Sequence, residues 1–473
     1  MALYSQAAGK SRKGCAIKVP DKMHEKFIHM TETPVRRLIP ELAVPTIISM
    51  LVTAFYNMAD TFFVGRINTQ ATAAVGVVFS FMAILQACGF FFGHGSGNYI
   101  SRQLGAENVE EASRMAANGF FFALATGVAV AAVGMCFLEP LSRVLGSTET
   151  ILPYTCDYLR IILLGAPFIM ASFVMNNQLR YQGSASYAMV GIVTGAALNI
   201  ALDPFLIFYC GMGIAGAAAA TVISQIVSFF ILLKMCASGS NLRLSPKNFH
   251  PRPADILEII RGGFPSLCRQ GLASVATIAL NRAAGGYGDA VIAGMSIVSR
   301  VTMFANSVMI GWGQGFQPVC GFNFGAKRYG RVLEAYYFCL KVAFVFLTVM
   351  AVVMFAVSDP IMRMFRREDA EVIRIGALAL KLQCVLLPVQ SFTIIGNMLT
   401  QSIGYSFRAT LTAIGKQGLF FIPAILVLPG IFGVLGLQLA QPVADLLTFI
   451  LTQVIVVMVV KELKGMDRKG TDG

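Results

Sequence analysis

Charged residues are scarce in this sequence. Asp, Glu, Lys and Arg make up 13% of its 473 residues, whereas a soluble domain carries roughly 25%. Hydrophobic residues reach 56%. This balance excludes an ordinary soluble domain and is typical of a polytopic membrane protein. The net charge of +13 would indicate nucleic-acid binding in a soluble protein, but basic membrane loops explain it here, so no nucleic-acid partner is expected.

Paired cysteines and clustered histidines are also missing. The ten cysteines occur singly, without a C-x-x-C pair, and the four histidines are scattered. This pattern predicts neither a disulfide framework nor a structural metal site. The sequence contains no P-loop, no G-x-S-x-G and no H-E-x-x-H, so nothing indicates an enzyme or an ATP-driven pump. Secondary transport without a cofactor is the function that these absences favour.

Long apolar segments are abundant. Twelve of them reach the roughly 20 residues that a membrane-spanning helix requires. They lie at 39–64, 72–99, 114–137, 153–176, 185–209, 213–237, 256–284, 290–321, 333–357, 372–397, 407–430 and 433–460. The sequence therefore predicts an all-α polytopic membrane protein with twelve transmembrane helices.

The two halves of the chain repeat each other at an offset of 220 residues. Pro45 pairs with Pro265 and Gly216 with Gly436, and LGA at 104–106 pairs with FGA at 324–326. Six helices per half give both copies the same orientation, so the prediction is two pseudo-symmetric six-helix bundles. The predicted units are a cytoplasmic segment 1–37, an N-lobe 38–237, a linker 238–254, a C-lobe 255–461 and a tail 462–473.

Membrane orientation follows from the basic residues. Lys and Arg are more frequent in the loops on the side of the N-terminus than in the opposite loops. The positive-inside rule therefore predicts that both termini are cytoplasmic. Residues 1–37 contain no apolar core of a signal peptide, so the first apolar segment is expected to stay in the membrane.

Asp203 is the first candidate functional residue. It interrupts a long apolar segment, Pro204 follows it, and Asn199 precedes it by one helical turn. A carboxylate at membrane depth costs roughly 2.5 to 3.5 kcal/mol, so it is a functional candidate by default. Pro204 lacks an N–H and frees the carbonyl of Ile200 beside the carboxylate.

Three further polar residues are predicted at the same depth as Asp203. Asp60, Tyr158 and Thr221 all lie roughly 8 to 12 Å below the outer surface, at 1.5 Å per residue. Such a cluster could hold a proton or Na⁺. The alternative is that each side chain separately meets a loop or the lipid headgroups. Because the repeat places Leu280 and Pro423 opposite the two acids, a purely structural role is less favoured.

Charged residues also interrupt the apolar segments of the second half. Arg269, Arg300, Lys416 and Asp445 are candidates for a C-lobe cavity, with one basic residue pairing with Asp445. The sequence does not decide their role, since basic residues near helix ends can also reach the headgroups. In the first half, Pro45 is predicted to kink the first helix.

The chain resembles the MATE family of multidrug and toxic compound extrusion transporters. The resemblance rests on VPTIISMLVTAFYNMADTFFVGR in the first helix, RQLGA after the second and ALNIALDP in the fifth. It implies a cation-coupling site of Asp60, Tyr158, Asn199, Asp203 and Thr221, with H⁺ or Na⁺ as the coupling ion. Pro45 matches the proline at which the first helix bends in some members. The basic C-lobe helices resemble a MepA-like bacterial branch.

The resemblance implies a secondary antiporter that exports amphipathic, often cationic, drug-like small molecules by alternating access. The expected setting is the lipid bilayer of a bacterial inner (plasma) membrane, with the protein as a monomer. An alternative with the same fold is a flippase for lipid-linked or anionic substrates, steered by C-lobe Arg and Lys. A non-transporting receptor or enzyme is the third hypothesis, which the missing catalytic motifs disfavour.

Overall fold

The computed structural model describes residues 21–365 and 369–471. Parts of the predicted segments 1–37 and 462–473 therefore lie outside the described residues. The described residues are mainly helical and contain no β-strand. The α-helices are α1 Asp21–Glu32, α2 Val35–Val64, α3 Thr69–Gly105, α4 Val109–Cys136, α5 Leu138–Val144, α6 Leu152–Tyr181, α7 Ala185–Pro204, α8 Gly213–Cys236, α9 Pro253–Gly285, α10 Asp289–Gly325, α11 Tyr329–Ala356, α12 Ser358–Phe365, α13 Ala370–Leu386, α14 Gln390–Ser402, α15 Ser406–Ile414, α16 Ile422–Phe432 and α17 Val434–Thr471.

Most of these helices can cross a membrane. Ten spans in the described part of the chain are long and apolar enough, and α13 with α14 forms an eleventh that bends by 55°. The remaining predicted span is α9, which is 33 residues long. Arg269 and Gln270 interrupt its apolar sequence, so α9 meets the length requirement without the hydropathy of the other spans.

The internal repeat is visible in the helix boundaries. α3 and α10 are both 37 residues long and start at 69 and 289. α4 and α11 are both 28 residues long and start at 109 and 329. Each pair of starts is 220 positions apart, as the sequence repeat predicts. The short helices α5 and α12, which the apolar segments did not predict, start at 138 and 358 and obey the same offset.

The two halves differ at their fourth span. α6 runs without a break over 30 residues, whereas its counterpart is interrupted between Leu386 and Gln390. Pro388 lies in this interruption, where its missing N–H removes a helical hydrogen bond. The sequence predicted one span at 372–397, and the structure has a span there that is bent at this interruption.

Close helix contacts join the halves on one side of the molecule, where α1 and the connection between α8 and α9 also lie. We call this the terminal side. A Cβ atom on Gly95 of α3 would lie 2.3 Å from the carbonyl oxygen of Ile259 in α9, and one on Gly315 of α10 would lie 2.5 Å from the Cα of Ala43 in α2. Glycine is required at these positions because two backbones approach closely. The halves are therefore closed on the terminal side.

Glycines towards the opposite side make no such close contact. A Cβ atom on Gly76, near the start of α3, would meet no atom within 4 Å, and the same holds for Gly271 and Gly285 of α9. The close glycine contacts between the halves that the described residues make thus lie towards the terminal side. The halves are held together at that side.

Polar contacts between the halves reinforce the closed side. They join α4 to α9, α3 to α9 and α6 to α10, through Arg114 with Asp255 at 3.0 Å, Arg102 with Glu258 at 3.2 Å, and Arg180 with Gln314. Both partners of the first pair are almost fully buried. Removing one partner of such a pair leaves an uncompensated charge and typically costs about 3–5 kcal/mol.

Helix α1 lies across the terminal side and touches both halves. The Lys26 Nζ donates to Ser184 Oγ at 2.8 Å and to Asn241 Oδ1 at 3.0 Å. On the other half, Arg328 Nη1 donates to the carbonyl of Thr31 at 2.9 Å. Burial lowers the pKa of Lys26 to about 7. Helix α1 therefore adds contacts that hold both halves together in the closed arrangement.

Candidate functional site

Asp203 is completely buried near the end of α7. After Pro204 the helix widens into a π-helical turn, Phe205–Tyr209, in which the amide of Cys210 donates to the carbonyl of Phe205 five residues earlier. Proline cannot donate to the helical ladder, and single π-helical turns are frequent at functional sites. The sequence thus produces an irregular helix next to a buried acid.

An amide links Asp203 to the neighbouring helix α8. The Nδ2 of Asn199 donates to Asp203 Oδ1 at 3.4 Å and to Thr221 Oγ1 at 3.4 Å. All three side chains are at most 1% exposed. One amide therefore ties the carboxylate of α7 to the hydroxyl of α8.

Helices α2 and α6 complete the cluster. Asp60 of α2 lies close enough to Asp203 for the two carboxylates to interact electrostatically. The Tyr158 side chain of α6 interacts with Thr221 and with both acids, and it is 1% exposed. The structure thus brings together the five residues predicted for cation coupling, from four different helices.

Tyr56 is a sixth member that the sequence reasoning missed. Its side chain interacts with Thr221, Asp60 and Asp203. The available signal was its spacing, because Tyr56 precedes Asp60 by four residues and so lies on the same face of α2. Its polar tip was not distinguished from the many aromatic residues of the apolar helices.

Three oxygen atoms of this cluster have no hydrogen-bond donor among the described residues. They are Asp60 Oδ1, Asn199 Oδ1 and Asp203 Oδ2, and all are buried. An unsatisfied buried acceptor typically costs about 1–3 kcal/mol. A proton on a carboxylate, or a small hard cation among the oxygens, would remove that cost. Among the described residues no group of three or more His, Cys, Asp or Glu side chains could hold a metal ion, so such a cation would need the amide and hydroxyl oxygens as well.

A cavity of about 290 Å³ adjoins the cluster; it is lined by helices of the N-terminal half and by Gln270 of α9. Asn199 and Thr221 belong both to its wall and to the cluster. The rest of the lining mixes apolar side chains with amides: Thr53, Tyr56, Asn57, Phe79, Met82, Ala83, Leu85, Gln86, Ile169, Ser172, Phe173, Asn176, Ile192, Gly195, Ala196, Ser224, Gln225, Ser228, Leu232 and Gln270. Mostly apolar walls with a few polar groups are typical of small-molecule sites.

The two prolines occupy different places. Pro204 borders the cluster directly. Pro45 lies inside α2, where its carbonyl accepts from Ser49 Oγ at 2.9 Å. It is 15 residues before Asp60, or roughly 22 Å along the helix. Pro45 can therefore influence the cluster only by changing the course of α2.

The structure brings together two of the four C-lobe candidates. Lys416 Nζ lies 3.6 Å from Asp445 Oδ1, and Lys416 lines a second cavity. Arg269 is half-buried and interacts with Tyr181 and His94 of the N-terminal half. The Arg300 side chain is exposed and, like Arg269, does not line that cavity in the part of the chain described.

Two membrane bundles with a shared pseudo-symmetry, closed on one side and holding an internal cavity, define a secondary transporter and not an enzyme. The chain belongs to the MatE family. The family model matches residues 45–205 and 265–426, one segment in each half. The two matches start 220 residues apart, in agreement with the internal repeat.

Named relatives and solved structures agree with this membership. The chain is 27% identical over 434 residues to the multidrug export protein MepA of Staphylococcus haemolyticus, covering 91% of this chain and 95% of that protein. It is 26% identical over 437 residues to MepA of Staphylococcus aureus strain MSSA476, covering 91% and 96%.

Two solved structures have the same fold along nearly the whole chain. One is an outward-facing multidrug resistance MATE family transporter of the MOP superfamily, at a TM-score of 0.87 and 25% identity, covering 93% of this chain and 99% of that one. The other is a MOP superfamily transporter from Pyrococcus furiosus Vc1, at a TM-score of 0.86 with the same identity and coverage. The protein is therefore a multi-pass membrane transporter.

Proposed function

We propose that this protein exports small amphipathic compounds, cationic ones among them, in exchange for H⁺ or Na⁺. The relatives named as multidrug export proteins support the direction and the breadth of substrates. The cavity of the N-terminal half supports the substrate class, because its apolar and amide walls can contact varied molecules. Carboxylates beside the cavity favour cations.

The observation that carries the coupling is the set of three unpartnered buried oxygens on Asp60, Asn199 and Asp203. A proton or Na⁺ bound there offsets the cost of leaving these acceptors unpaired. It also removes part of the negative charge that attracts a cationic substrate. Cation binding and substrate binding therefore compete, which is the requirement for exchange.

The coupling cation and the substrate affect each other's binding through residues that belong to both the cluster and the cavity. Asn199 and Thr221 hold the cluster together and also form the cavity wall. When a cation changes the hydrogen bonds of Asn199, the same amide presents a different surface to the substrate. An ion can shift the equilibrium between two states only by its difference in affinity for them, and this shared wall provides such a difference.

Alternating access follows from the arrangement of the halves. The structure is closed on the terminal side, where the basic residues Arg102, Arg114 and Arg328 lie. We assign the terminal side to the cytoplasm of a bacterial cell by the positive-inside rule. The structure is then the state open to the outside. The two bundles form the complete pathway within one chain, so a monomer suffices.

Substitutions of single acids test the coupling role. We expect Asp60→Asn and Asp203→Asn to abolish efflux of a cationic dye from cells that lack other pumps. The matched control is Asp157→Asn, because Asp157 is exposed and lies next to Tyr158 at the same level of α6. Wild-type efflux by Asp203→Asn, at equal membrane expression, would refute the coupling role.

The alternative flippase function has weaker support. It requires basic side chains along the substrate path. In the described residues Arg269 interacts with Tyr181 at the contact between the halves, and Arg300 lines neither cavity. Lys416 lines a cavity, but it is the only one of these three basic candidates that does so, and Asp445 pairs with it. The described residues therefore provide no cluster of cations for a polyanionic substrate.

A further inference from the structure

The C-terminal half contains its own cavity, of about 200 Å³. It lies at the place that the repeat relates to the N-terminal site. Lys416 takes the position of Ala196, Gln441 that of Thr221, and both members of each pair line their cavities. The two cavities differ in chemistry, since the C-terminal one is lined mainly by amides and hydroxyls and contains an ammonium group.

A hydrogen-bond network holds this ammonium group in place. Gln390 Nε2 donates to Asp445 Oδ2 at 2.8 Å, and Gln441 Nε2 donates to Asp445 Oδ1 at 3.1 Å. Lys416 Nζ donates to Gln390 Oε1 at 3.0 Å and lies 3.6 Å from Asp445 Oδ1. The Asp445 carboxylate thus keeps two amide donors of its own.

The two charges of this pair are not equally accessible. The Lys416 side chain is 23% exposed, whereas that of Asp445 is 4% exposed. An ammonium group has three donors; one is hydrogen-bonded to Gln390, and Asp445 is an ion-pair partner at 3.6 Å, beyond hydrogen-bonding distance. A ligand in the cavity therefore meets a donor of Lys416 that Gln390 does not occupy, while the carboxylate stays behind it.

The helix around Lys416 has the same irregularity as the helix beside Asp203. Lys416 lies on the π-helical segment Gly415–Phe421, between α15 and α16. Such segments are frequent at functional sites because they widen the helix and redirect its side chains. The fifth span of each half thus carries a π-helical segment next to a charged group: Lys416 lines its cavity, and Asp203 is linked to its cavity through Asn199.

Both cavities are lined by the same face of α9, at neighbouring levels of the helix. Gln270 lines the N-terminal cavity, and Ala273 and Thr277, within two further turns, line the C-terminal one. A molecule between the halves could therefore present opposite charges to the two sites. The N-terminal cluster supplies carboxylates, and the C-terminal cavity supplies the ammonium group of Lys416.

We propose that the C-lobe cavity is a subsite for the carboxylate group of zwitterionic substrates, which Lys416 binds directly. Asp445, held by Gln390 and Gln441, positions the ammonium group. This inference rests on the proposed export function. It assigns the group that holds a substrate carboxylate to Lys416 of the C-terminal half, since the acidic N-terminal cluster would repel a free carboxylate.

The test uses two dyes that differ only in whether their carboxylate is free or esterified. One is a zwitterionic rhodamine with a free carboxylate, and the other is its ethyl ester, a permanent cation. Transport of both is measured in proteoliposomes that contain the full-length protein. We expect Lys416→Gln to lower transport of the zwitterion at least tenfold relative to the ester, and Lys416→Arg to restore much of it.

Two further variants separate binding from folding. Lys416→Gln combined with Asp445→Asn removes both charges and leaves no unpaired buried carboxylate. It is expected to discriminate against the zwitterion like the single variant. Lys381→Gln is the control, since Lys381 pairs with Asp359 at 2.8 Å outside the cavity; it should transport both dyes like the wild type.

The outcomes separate failure of the Lys416 subsite from failure of the proposed export function. Equal loss of both dyes in the double variant, or no change in either, would overturn the Lys416 subsite while the export function stands. If the wild type transports neither dye, the proposed export function fails, and the subsite fails with it.

Discussion

A methyl group at Gly95 should open the closed side of this transporter. Gly95 lies in α3, and a Cβ atom there would be 2.3 Å from the carbonyl oxygen and 3.0 Å from the Cα of Ile259 in α9. Ordinary contact begins at 3.4 Å, so the two helices must separate by about 1.1 Å. Both obstructing atoms belong to the backbone, and no side-chain rotation can relieve the clash.

The size of the effect follows from the cost of overpacking. Extra methyl groups in packed interiors typically cost about 1–3 kcal/mol. The cost applies only to the state in which α3 and α9 touch. It therefore shifts the equilibrium towards the state open on the terminal side by about 5- to 150-fold.

Cys320 provides the readout. It is completely buried in α10 and interacts with Arg102 of the other half. In a variant whose other cysteines are replaced by serine, a thiol reagent applied from the terminal side should label Cys320 about 5 to 150 times faster after Gly95→Ala. Efflux should fall in parallel.

Gly76→Ala is the matched control. It changes the same helix and gains the same helix propensity, but its Cβ atom would meet nothing within 4 Å. Its labelling rate should equal that of the parent. If Gly95→Ala and Gly76→Ala label Cys320 equally, the close contact does not hold the halves together and the reasoning is refuted.

Three further predictions concern single side chains. Arg114→Gln should lower the free energy of unfolding by about 3–5 kcal/mol because it leaves the buried Asp255 carboxylate without its charged partner. If the free energy derived from denaturant unfolding falls by much less, water reaches the pair. Docked Lys26 has a lower pKa than free lysine, so docking of α1 releases a proton and should strengthen as pH rises from about 7 towards 10.5; hydrogen exchange in α1, corrected for intrinsic rates, should slow over this range, and faster exchange would contradict the assignment. Tyr56→Phe removes a hydroxyl worth about 1 kcal/mol to Thr221, so the apparent affinity for the coupling cation should fall about fivefold; an unchanged cation dependence of efflux would remove Tyr56 from the cluster.

Much of the architecture could be predicted because membrane helices carry strong sequence signals. Apolar length gave the positions of the spans, and the offset of 220 residues recurs in the first residues of α3 and α10. The break before Gln390 could not be predicted from the sequence, because a proline alone does not determine a break. Pro388 lies in a broken span, whereas Pro167 lies in the unbroken helix α6. Whether the freed carbonyl finds another partner depends on tertiary neighbours.

Most residues of the candidate site could be predicted from the sequence. Acids in apolar helices stand out, and counting residues from the helix ends placed Asp60 and Asp203 at one depth. The hydroxyl of Tyr56 did not stand out among aromatic neighbours. The partner of Lys416 was also undecided by sequence, since only the packing of α17 against the π-helical segment brings Asp445 to it.

The central claim is that the Asp60–Asp203 cluster couples ion flow to export. The most direct measurement is uptake of a cationic dye into proteoliposomes under an imposed proton gradient, with and without Na⁺, for the wild type and Asp203→Asn. We predict that a gradient of one of the two ions accelerates uptake by the wild type, whereas Asp203→Asn shows only the rate seen without a gradient. Equal acceleration in both proteins would contradict the account.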